Sequence, residues 1–404
     1  MRRAVITGVA VLCSLGDDHE SVFQALCDKK QVLKEFDKEE GDLSCVRAKY
    51  FTPIPEYDDS MFSRQLMLVK KRGGKRSANA VFTALKALKD SGISTPDENT
   101  AIIVGEGCPA FDEIDRLLYK KFAATGKMDP MTAPTVMPNA TASWVSIVLG
   151  THGRSITMST ACASGTDSIG MGYDMILSGR CDMALCGGNE YLYSSGASPV
   201  RAFESLRAIT HAEDGRSIPF SKEREGFLFS EGGCGFLVIE ELEHALTRGA
   251  NIYAEITGYE FSSDAHNIVS LAEDGVQIEN MLRRLIGSRK VDYYNAHGTG
   301  TVLNDKVESQ VIQRIFGDDP DGQPAINSTK AFIGHTLGAS GAIEAAVCAD
   351  SIRHGKIHGN ITGTILENLN VTSETRELDV KCAVSASFGF GGHNSCIMLE
   401  KFAK

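Results

Sequence analysis

Apolar and polar stretches alternate along the chain in a way that predicts β-strands separated by α-helices. The stretch "SITMST" (155–160) predicts a strand, residues Ser164–Leu177 predict a helix, and "DMALCGG" (182–188) predicts the next strand. A strand, a helix and a second strand in this order form a β-α-β unit, which is typical of α/β proteins. We therefore expect an α/β fold.

The later part of the chain repeats this pattern. "DYYNAHG" (292–298) ends a strand, Asp305–Phe316 predicts a helix, and "AVSASFGFGG" (383–392) ends a late strand in glycine. The pentapeptide "AVITG" at residues 4–8 also returns as "AEITG" at residues 254–258. An internal repeat of this kind indicates a duplicated unit. The sequence therefore predicts two related α/β halves, residues 1–250 and 251–404.

Residues 34–138 interrupt the pattern with long polar and basic runs, which predicts cap-like insertions on the first half. Because no low-complexity linker separates the halves, we expect them to pack as one rigid body. The first residues, "MRRAVITGVAVLCSLGDD", resemble a signal peptide only superficially, since Thr7 and Gly8 interrupt a short apolar run. This segment predicts a buried strand, and no stretch is long enough to cross a bilayer.

Composition narrows the possible functions. The 404 residues include 41 Lys and Arg against 52 Asp and Glu, a formal charge of -11, so a general attraction for nucleic acid is excluded. The 11 cysteines are scattered, with no C-x-x-C pair and no Cys/His spacing suited to zinc. A reduced, cytoplasmic protein fits this usage better than a disulfide scaffold.

The stretch "STACASGTDSIG" (159–170) surrounds Cys162 with small residues, which leave room for another molecule to approach the sulfur. If a strand ends and a helix begins here, Cys162 lies near the helix N-terminus. Unpaired N–H groups and the helix dipole would then stabilise a thiolate, as a nucleophile requires. The alternative is a structural cysteine in a tight β-α turn.

Two histidines stand in similar surroundings. His297 in "NAHGTGTVLND" and His335 in "INSTKAFIGHTLGASGAIEA" are each flanked by Gly and Thr, which clear space around the ring, and Lys330 precedes His335 by five residues. A lone histidine at a strand end is more often structural than catalytic, but two in such settings favour catalysis. No carboxylate cluster accompanies them at ligand spacing, so we expect no metal site.

The segment "SFGFGGHNS" (387–395) places glycine on both sides of Phe390, so that the backbone can approach a ligand and present N–H groups. The alternative is a glycine-rich turn between core strands. Neither this segment nor "GEGCPAF" (105–111) completes a G-x-G-x-x-G pattern, and the chain has no P-loop pattern. Nucleotide binding is therefore disfavoured.

Taken together, these motifs resemble the β-ketoacyl-[acyl-carrier-protein] synthases of type I/II and the related type II polyketide ketosynthases. The resemblance is carried by "TACASG", "NAHGTGTVLND", "KAFIGHTLGASGAIE", "SFGFGGHN", "SIPFSKEREGFLFSEGG" (217–233) and "SSDAH" (262–266), which cover nearly the whole chain. It implies the thiolase-like fold, in which two duplicated α/β halves form a five-layered α-β-α-β-α core. It also implies a homodimer or a heterodimer with a related subunit.

The resemblance implies a reaction in two stages. Cys162 takes an acyl group from the phosphopantetheine arm of a carrier protein, with the N–H groups of Cys162 and Phe390 holding the oxyanion. A malonyl thioester then loses CO₂, and His297 and His335 stabilise its enolate, which attacks the acyl group. The product is a 3-oxoacyl chain two carbons longer. No cofactor is implied besides the phosphopantetheine that the carrier protein brings.

The remaining site residues follow from the same resemblance. Lys330 and Glu344 form a supporting pair that fixes the histidines, and Asp264 is a further supporting residue. Phe390 resembles a gate that shuts the acyl pocket until a chain enters. The sequence departs from the common pattern at several positions, without losing a catalytic group: Gly300, Val302, Ser221 and Asp167. These departures leave specialised polyketide or polyene synthesis open beside fatty-acid synthesis.

A short basic stretch, "VKKRGGKR" (69–76), is the expected docking site for an acidic carrier protein. Its basic residues are Lys70, Lys71, Arg72, Lys75 and Arg76. Arg201 and Arg207 are further candidates on the same argument. The alternative is a solvated surface run that binds nothing.

Two other functions compete with a ketosynthase. A non-catalytic subunit of the chain-length-factor type shares the fold but lacks the nucleophile, so the presence of Cys162, His297 and His335 argues against it. A thiolase carries a second catalytic cysteine near its C-terminus, where this chain has Cys396. The two histidine motifs and "GFGGHN" fit a decarboxylating synthase better.

Overall fold

The computed structural model describes residues 2–37, 43–193 and 198–403. In these residues ten strands form one large mixed sheet, and two pairs of two-residue strands form small ribbons. The strands are β1 (Ala4–Leu12), β2 (Lys34–Glu35), β3 (Tyr50–Phe51), β4 (Ala101–Gly105), β5 (Ser155–Met158), β6 (Met183–Tyr191), β7 (Gly232–Glu241), β8 (Ala254–Ser263), β9 (Tyr293–Asn295), β10 (Ala325–Asn327), β11 (Lys356–Ile357), β12 (Arg376–Glu377), β13 (Cys382–Gly389) and β14 (His393–Glu400).

Helices fill most of the connections between these strands. They are α1 (His19–Cys27), α2 (Ser63–Arg72), α3 (Gly74–Asp90), α4 (Phe111–Ile114), α5 (Ala123–Thr125), α6 (Thr132–Val136), α7 (Ala140–Leu149), α8 (Ser164–Leu177), α9 (Ser198–Ser205), α10 (Leu242–Thr247), α11 (Val276–Ile286), α12 (Val302–Phe316), α13 (Lys330–Ile333) and α14 (Ser340–His354). Short 3₁₀ turns at Ala161–Ala163 and Leu337–Ala339 precede α8 and α14.

The large sheet repeats one topology twice. Its strand order is β10-β9-β13-β14-β8-β1-β7-β6-β4-β5, so each half contains five strands in the same sequential arrangement. In the first half β4 runs parallel to β5 and β6, while β7 is antiparallel to β6 and β1. In the second half β9 is parallel to β10 and β13, while β14 is antiparallel to β13 and β8. The predicted duplicated α/β halves are confirmed.

The repeated pentapeptides lie where the two halves meet. "AVITG" starts β1 and "AEITG" starts β8, and these strands pair antiparallel with Val5 opposite Glu255. Ala4 lies opposite Ile256, and Ile6 lies opposite Ala254. The first residue of each pentapeptide thus pairs with the third residue of the other, which is the symmetry of a local two-fold axis. The predicted boundary at residues 250 and 251 falls between α10 and β8 and stays a prediction.

The helices form three layers around the two halves of the sheet. Helices α8 and α14 pack on each other and on strands of both halves, so they form the middle layer. Helix α14 is buried from Ser340 to Ile352, and small residues on both helices let the backbones approach closely. Helices α3 and α7 cover the outer face of the first half, and α11, with α12 packed on it, covers the outer face of the second. This arrangement is the predicted five-layered α/β core.

The prediction of cap-like insertions over residues 34–138 is wrong in part. Strand β4 lies inside the sheet and helix α3 packs on β1 and β7, so both belong to the core. The sequence pattern did not predict helix α3, because buried polar side chains interrupt its apolar periodicity. Arg76 and Asn79 are two of these buried polar residues. The predicted N-terminal strand is confirmed, since all nine residues of β1 are buried. In the described ranges no helix is long and apolar enough to cross a membrane.

Candidate active site

Cys162 lies in a sharp turn between β5 and α8, at the wall of a cavity of about 330 Å³. Ala161 has a φ of +52°, a strained backbone conformation that bends the chain sharply just before Cys162. Ser164 fixes the turn, because its hydroxyl accepts from Thr160 N (2.9 Å) and donates to Ala161 O (2.6 Å). The turn thus presents the Cys162 thiol to the cavity, although the residue is only 6% exposed.

A second turn of the same kind places His335. Residues 336–341, "TLGASG", repeat "TACASG" of residues 160–165, and each forms a 3₁₀ turn followed by a long middle-layer helix. Leu337 has a φ of +46° and stands where Ala161 stands in the first turn. Gly338 therefore occupies the position equivalent to Cys162. The two turns are in contact, which brings His335 to the nucleophile.

Hydrogen bonds determine which nitrogen of His335 carries the proton. Its Nδ1 accepts from the backbone N–H of Leu337 (3.3 Å), and a backbone N–H can only donate. The proton of the neutral ring is therefore on Nε2, which lies 3.1 Å from Cys162 Sγ. Burial and the charge of Lys330 lower the pKa of His335 well below its usual value, so the ring stays neutral. His335 is a preorganised N–H donor aimed at the reacting sulfur.

His297 stands beside it at the end of β9. Its backbone N–H donates to Glu308 Oε1 (2.9 Å), and its ring centroid is 5.5 Å from that of His335. Burial, followed by the charge of Lys330, lowers the pKa of His297 well below its usual value. Its Nδ1 is buried without a hydrogen-bond partner in the described residues. Both histidines are thus neutral rings that face the same space next to Cys162.

Lys330 and Glu344 form a buried ion pair behind the histidines. Lys330 Nζ lies 2.5 Å from Glu344 Oε1, and both side chains are almost completely inaccessible to solvent. The positive charge of Lys330 opposes protonation of both imidazoles and also favours the Cys162 thiolate. The structure therefore brings together Cys162, His297, His335, Lys330 and Glu344, whose roles in the reaction stay a prediction.

The backbone N–H groups of Phe390 and of Cys162 itself interact with the Cys162 sulfur and favour its ionised form. Such a pair of N–H groups can hold an oxyanion. The Phe390 side chain lines the cavity and lies near Phe203, with ring centroids 6.4 Å apart and the ring planes tilted by 40°. Asp264 holds a neighbouring loop, since its carboxylate accepts from Asn394 Nδ2 (2.7 Å) and Ala272 N (3.1 Å). Asp264 thus ties the loop after β8 to the start of β14.

The prediction of a stabilised Cys162 thiolate is wrong for the resting protein. Burial raises the pKa of the thiol to about 12, and this outweighs the opposing influence of Lys330 and of the N–H groups. The free thiol is therefore protonated at neutral pH.

The ligand atoms of Cys162, His297 and His335 lie within 4.8 Å of one another, a donor set that could also bind a soft metal ion. The expected absence of a metal stays a prediction.

The basic stretch around α2 is mostly exposed. Lys70, Lys71, Arg72 and Lys75 line a second cavity of about 310 Å³ together with Arg116 and Lys121. Lys70 pairs with Asp59, and Lys75 Nζ lies 3.5 Å from Glu231 Oε1. Of the two further candidates, Arg201 and Arg207 are both exposed, and Arg207 lines the cavity of Cys162.

Arg76 cannot dock a partner, which corrects one predicted residue. It is fully buried, with Nη1 2.7 Å from Glu106 Oε2 and Nη2 donating to Thr135 O at 2.8 Å. Helix α3 begins at Gly74, so its first turn directs Arg76 into the core while Lys75 points outward. Sequence reasoning could not distinguish the two, because both belong to the same basic run.

Two buried carboxylates at the site escaped prediction. Glu308 accepts from His297 N and from Gly298 N (2.8 Å), so it fixes the turn that carries His297. Glu190, at the end of β6, accepts from Gly107 N (2.8 Å) and Gly338 N (3.1 Å). No pattern of side chains marked either carboxylate in the sequence, because both bind backbone N–H groups.

Comparison with known proteins assigns the chain to a family. The model of the β-ketoacyl synthase N-terminal domain matches residues 1–245, and that of the C-terminal domain matches residues 253–364. Nodulation protein E of Rhizobium sp. (strain N33) is 34% identical over 420 residues, covering 99% of each chain. The 3-oxoacyl-[acyl-carrier-protein] synthase 2 of Vibrio harveyi is 31% identical over 426 residues, covering 100% of this chain and 99% of the relative.

Solved structures give the same result. The ketosynthase complex AntDE:AntF, a type II PKS acyl-carrier protein with its ketosynthase bound to the hexaketide, superposes with a TM-score of 0.88 at 25% identity, covering 99% of this chain and 100% of that one. The ishigamide ketosynthase/chain length factor superposes with a TM-score of 0.88 at 28% identity, covering 100% of both chains. The predicted thiolase-like fold and the resemblance to these synthases are confirmed. The chain belongs to the β-ketoacyl synthase family and is a condensing acyltransferase.

Proposed function

We propose that this protein is a 3-oxoacyl-[acyl-carrier-protein] synthase that condenses a malonyl-carrier-protein thioester with an acyl group held on Cys162. The observation that carries the proposal is the 3.1 Å contact between His335 Nε2–H and Cys162 Sγ, with His297 beside them at the wall of one cavity. The synthase would work in fatty-acid synthesis or in type II polyketide or polyene synthesis. Phosphopantetheine would arrive on the carrier protein, and the proposal requires no other cofactor.

The first stage is transfer of the acyl group to sulfur. Cys162 Sγ attacks the carbonyl carbon of the incoming thioester, and the N–H groups of Cys162 and Phe390 hold the developing oxyanion. The bond to the pantetheine sulfur then breaks. The proton of the buried Cys162 thiol leaves with that sulfur, so the acyl-enzyme and a free pantetheine thiol are formed. His297, which has a ring nitrogen within 4.8 Å of Cys162 Sγ, would relay this proton.

The second stage is decarboxylative condensation. Once Cys162 is acylated, the His335 Nε2–H no longer donates to a free thiol and can donate, with His297, to the thioester oxygen of a bound malonyl group. Loss of CO₂ leaves the electron pair of the broken C–C bond as an enolate on that oxygen. Each such donor supplies about 3 kcal/mol of barrier reduction. The enolate carbon attacks the acyl carbonyl, and the Cys162 thiolate leaves and takes up one proton.

The cavity fits an apolar acyl chain on one side of Cys162. Its lining includes Phe203, Phe227, Leu337 and Phe390, which belong to the same apolar cluster as Cys162, besides the polar residues Arg207 and Thr301. Burial of the chain against such side chains contributes about 0.8 kcal/mol per methylene. The half-buried Phe390 ring stands beside Cys162 and would gate this side of the cavity.

Two partners belong to the proposal. An acidic carrier protein would dock on the exposed basic residues Lys70, Lys71, Arg72 and Lys75. A second copy of the chain, or a related subunit, would cover the outer edge of β5, which is the last strand at one end of the sheet in the described residues. Unpaired edge strands readily pair with another chain. Ile147, which is 65% exposed on the neighbouring helix α7, adds an apolar contact for such a partner. A cytoplasmic location remains part of the proposal.

The direct test is acyl loading. Wild-type protein is incubated with acyl-carrier-protein thioesters of graded length and analysed by intact mass. We expect an adduct of one acyl group, which disappears in Cys162→Ala and persists in the control Cys45→Ala, since Cys45 is an exposed thiol that nonspecific transfer would reach. Absence of any adduct, also with a co-expressed related subunit, would reject the proposal and favour a non-catalytic partner subunit.

A further inference from the structure

Glu190 connects three segments of the chain beside the cavity. Its side chain is completely buried at the end of β6. Oε2 accepts from the backbone N–H groups of Gly107 (2.8 Å), Cys108 (3.1 Å) and Gly338 (3.1 Å). One carboxylate thus joins the loop after β4 to the turn before α14.

Both joined segments shape the proposed active site. Gly107 and Cys108 line the cavity that contains Cys162. Gly338 follows Leu337, whose N–H donates to His335 Nδ1 and thereby sets the orientation and tautomer of that ring. Any shift of the turn at Gly338 therefore moves the donor that faces Cys162, and any shift of Cys108 changes the space for an acyl chain.

The backbones at Gly107 and Gly338 approach so closely that no side chain fits between them. A Cβ atom on Gly338 would lie 2.2 Å from Gly107 N, and one on Gly107 would lie 3.0 Å from Glu190 Oε2. The Glu190 carboxylate fills the remaining space and supplies the acceptor that these N–H groups need. Three N–H donors that converge on one oxygen specify its position more narrowly than a single bond does.

A contribution to fold stability alone explains Glu190 poorly. Burying a carboxylate is costly unless a cation compensates it, and Glu190 forms no ion pair among the residues that the structure describes. The nearby cation, Arg76, pairs with Glu106 instead. Burial and the charge of Glu106 raise the pKa of Glu190 to about 8, so its side chain is charged only above about that pH, where its negative charge disfavours the Cys162 thiolate.

We propose that Glu190 is a positioning residue that fixes the Gly107–Cys108 wall of the cavity relative to His335, and so sets both the acyl chain that the cavity accepts and the aim of the His335 donor. This inference rests on the proposed synthase function. Glu190 does not line the cavity itself and acts through the two segments that it holds.

The test compares two variants with a matched control. Glu190→Ala removes all the hydrogen bonds, whereas Glu190→Gln keeps one oxygen that can accept from the three N–H groups and removes the charge. Glu240→Gln is the control, because Glu240 is also completely buried but lies at the opposite end of the neighbouring strand, facing Met183, whereas Glu190 faces Gly233. Each protein is assayed for acyl loading of Cys162 over graded chain lengths, for malonyl decarboxylation, and for the pH profile of Cys162 alkylation.

In the wild type, Cys162 should load its preferred acyl chain faster than longer chains, and we expect Glu190→Ala to reduce this ratio of loading rates at least about tenfold. We expect it to slow malonyl decarboxylation by a similar factor, as the loss of an oriented donor does. Glu190→Gln should restore most of both. Above about pH 8, where the wild-type carboxylate is charged, Glu190→Gln should also alkylate faster, with its profile displaced to lower pH. Glu240→Gln should match the wild type in all three assays.

The outcomes separate this inference from the proposed function. If wild-type Cys162 takes no acyl group, the proposed function fails. If the wild type is acylated but Glu190→Ala keeps its chain-length profile and decarboxylation rate, the positioning role is rejected. If Glu190→Ala does not fold, Glu190→Asp takes its place, because its shorter side chain withdraws the acceptor from the three N–H groups. An unchanged chain-length profile and decarboxylation rate in Glu190→Asp then reject the inference. Equal impairment in Glu190→Gln and Glu240→Gln would also reject it.

Discussion

At the level of single residues, the charge state of the two histidines determines how the rate of malonyl decarboxylation depends on pH. Burial and Lys330 lower the pKa of His297 and His335 well below the usual value of about 6.5. A lowered pKa means that each ring is uncharged at every pH above it, so both stay neutral from about pH 6 to 8. We expect the rate of malonyl decarboxylation by the Cys162→Ala variant, which has no thiol to titrate, to be flat over this range.

Release of CO₂ from a malonyl thioester measures this rate directly. His335→Ala in the same background should lower it by about 10² to 10³, because one oriented donor is lost. A rise in rate with a midpoint near pH 6.5 would show that a histidine of ordinary pKa controls the step, and would contradict the neutral-donor arrangement.

Individual motifs predicted the reacting groups well, but not the groups that hold them. Cys162, His297 and His335 stand in short stretches of small residues that are visible in the sequence. Glu190 was missed because its partners are backbone N–H groups from distant segments, and such partners leave no mark on side-chain spacing. The pKa of Cys162 was misjudged for a related reason, since burial depends on neighbours that the sequence does not order in space.

At the level of whole elements, the middle layer depends on small residues at the contact between α8 and α14. A Cβ atom on Gly341 would lie 2.1 Å from Thr166 Oγ1 and 2.6 Å from Thr166 N. Because Thr166 is buried in the adjoining helix, it has no room to retreat, and overpacking of this kind costs about 1–3 kcal/mol. We therefore expect Gly341→Ala to lower the free energy of unfolding by this amount.

Chemical denaturation of the two proteins gives this difference. The control is Gly322→Ala, since a Cβ on Gly322 would meet nothing within 4 Å and its φ is not positive. That variant should unfold like the wild type. If both variants have equal stability, the close approach of the two helices is not required for the fold.

Elements were predictable where their pattern was regular. The helix predicted at residues 164–177 coincides with α8, whereas α12 begins at Val302, three residues before the predicted start. Helix α3 was hidden by buried polar side chains, which break the apolar periodicity on which such predictions rest. The similarity of "TACASG" (160–165) and "TLGASG" (336–341) also indicates a duplicated turn, in which Gly338 stands at the position equivalent to Cys162.

At the level of the whole molecule, charge is distributed unevenly. The chain carries a formal charge of -11, yet basic residues dominate the lining of the second cavity: Lys70, Lys71, Arg72, Lys75, Arg116 and Lys121. Among the described residues that line it, only Asp129 is acidic. Asp129 is already paired with Lys121. A local positive surface on an acidic protein steers an acidic partner to one place while the remaining surface repels it.

This distribution predicts how carrier-bound and free substrates differ. In the double variant Lys71→Glu/Arg72→Glu we expect kcat/KM for acyl-carrier-protein substrates to fall at least about tenfold at low salt, because electrostatic steering is reversed. Turnover of a simple pantetheine thioester should keep the wild-type rate, since that substrate needs no docking surface. The difference should shrink as salt approaches about 1 M, where the screening length is about 3 Å.

The control is Lys29→Glu/Lys30→Glu, which makes the same change in net charge at residues that line neither cavity. If only the total charge matters, both double variants lose carrier-dependent activity equally, and the basic cavity has no special part in docking. If Lys71→Glu/Arg72→Glu also slows the pantetheine thioester, the substitutions disturb the site itself. A loss confined to the carrier-bound substrate and to the first double variant identifies the surface beside α2 as the place where the carrier protein approaches Cys162.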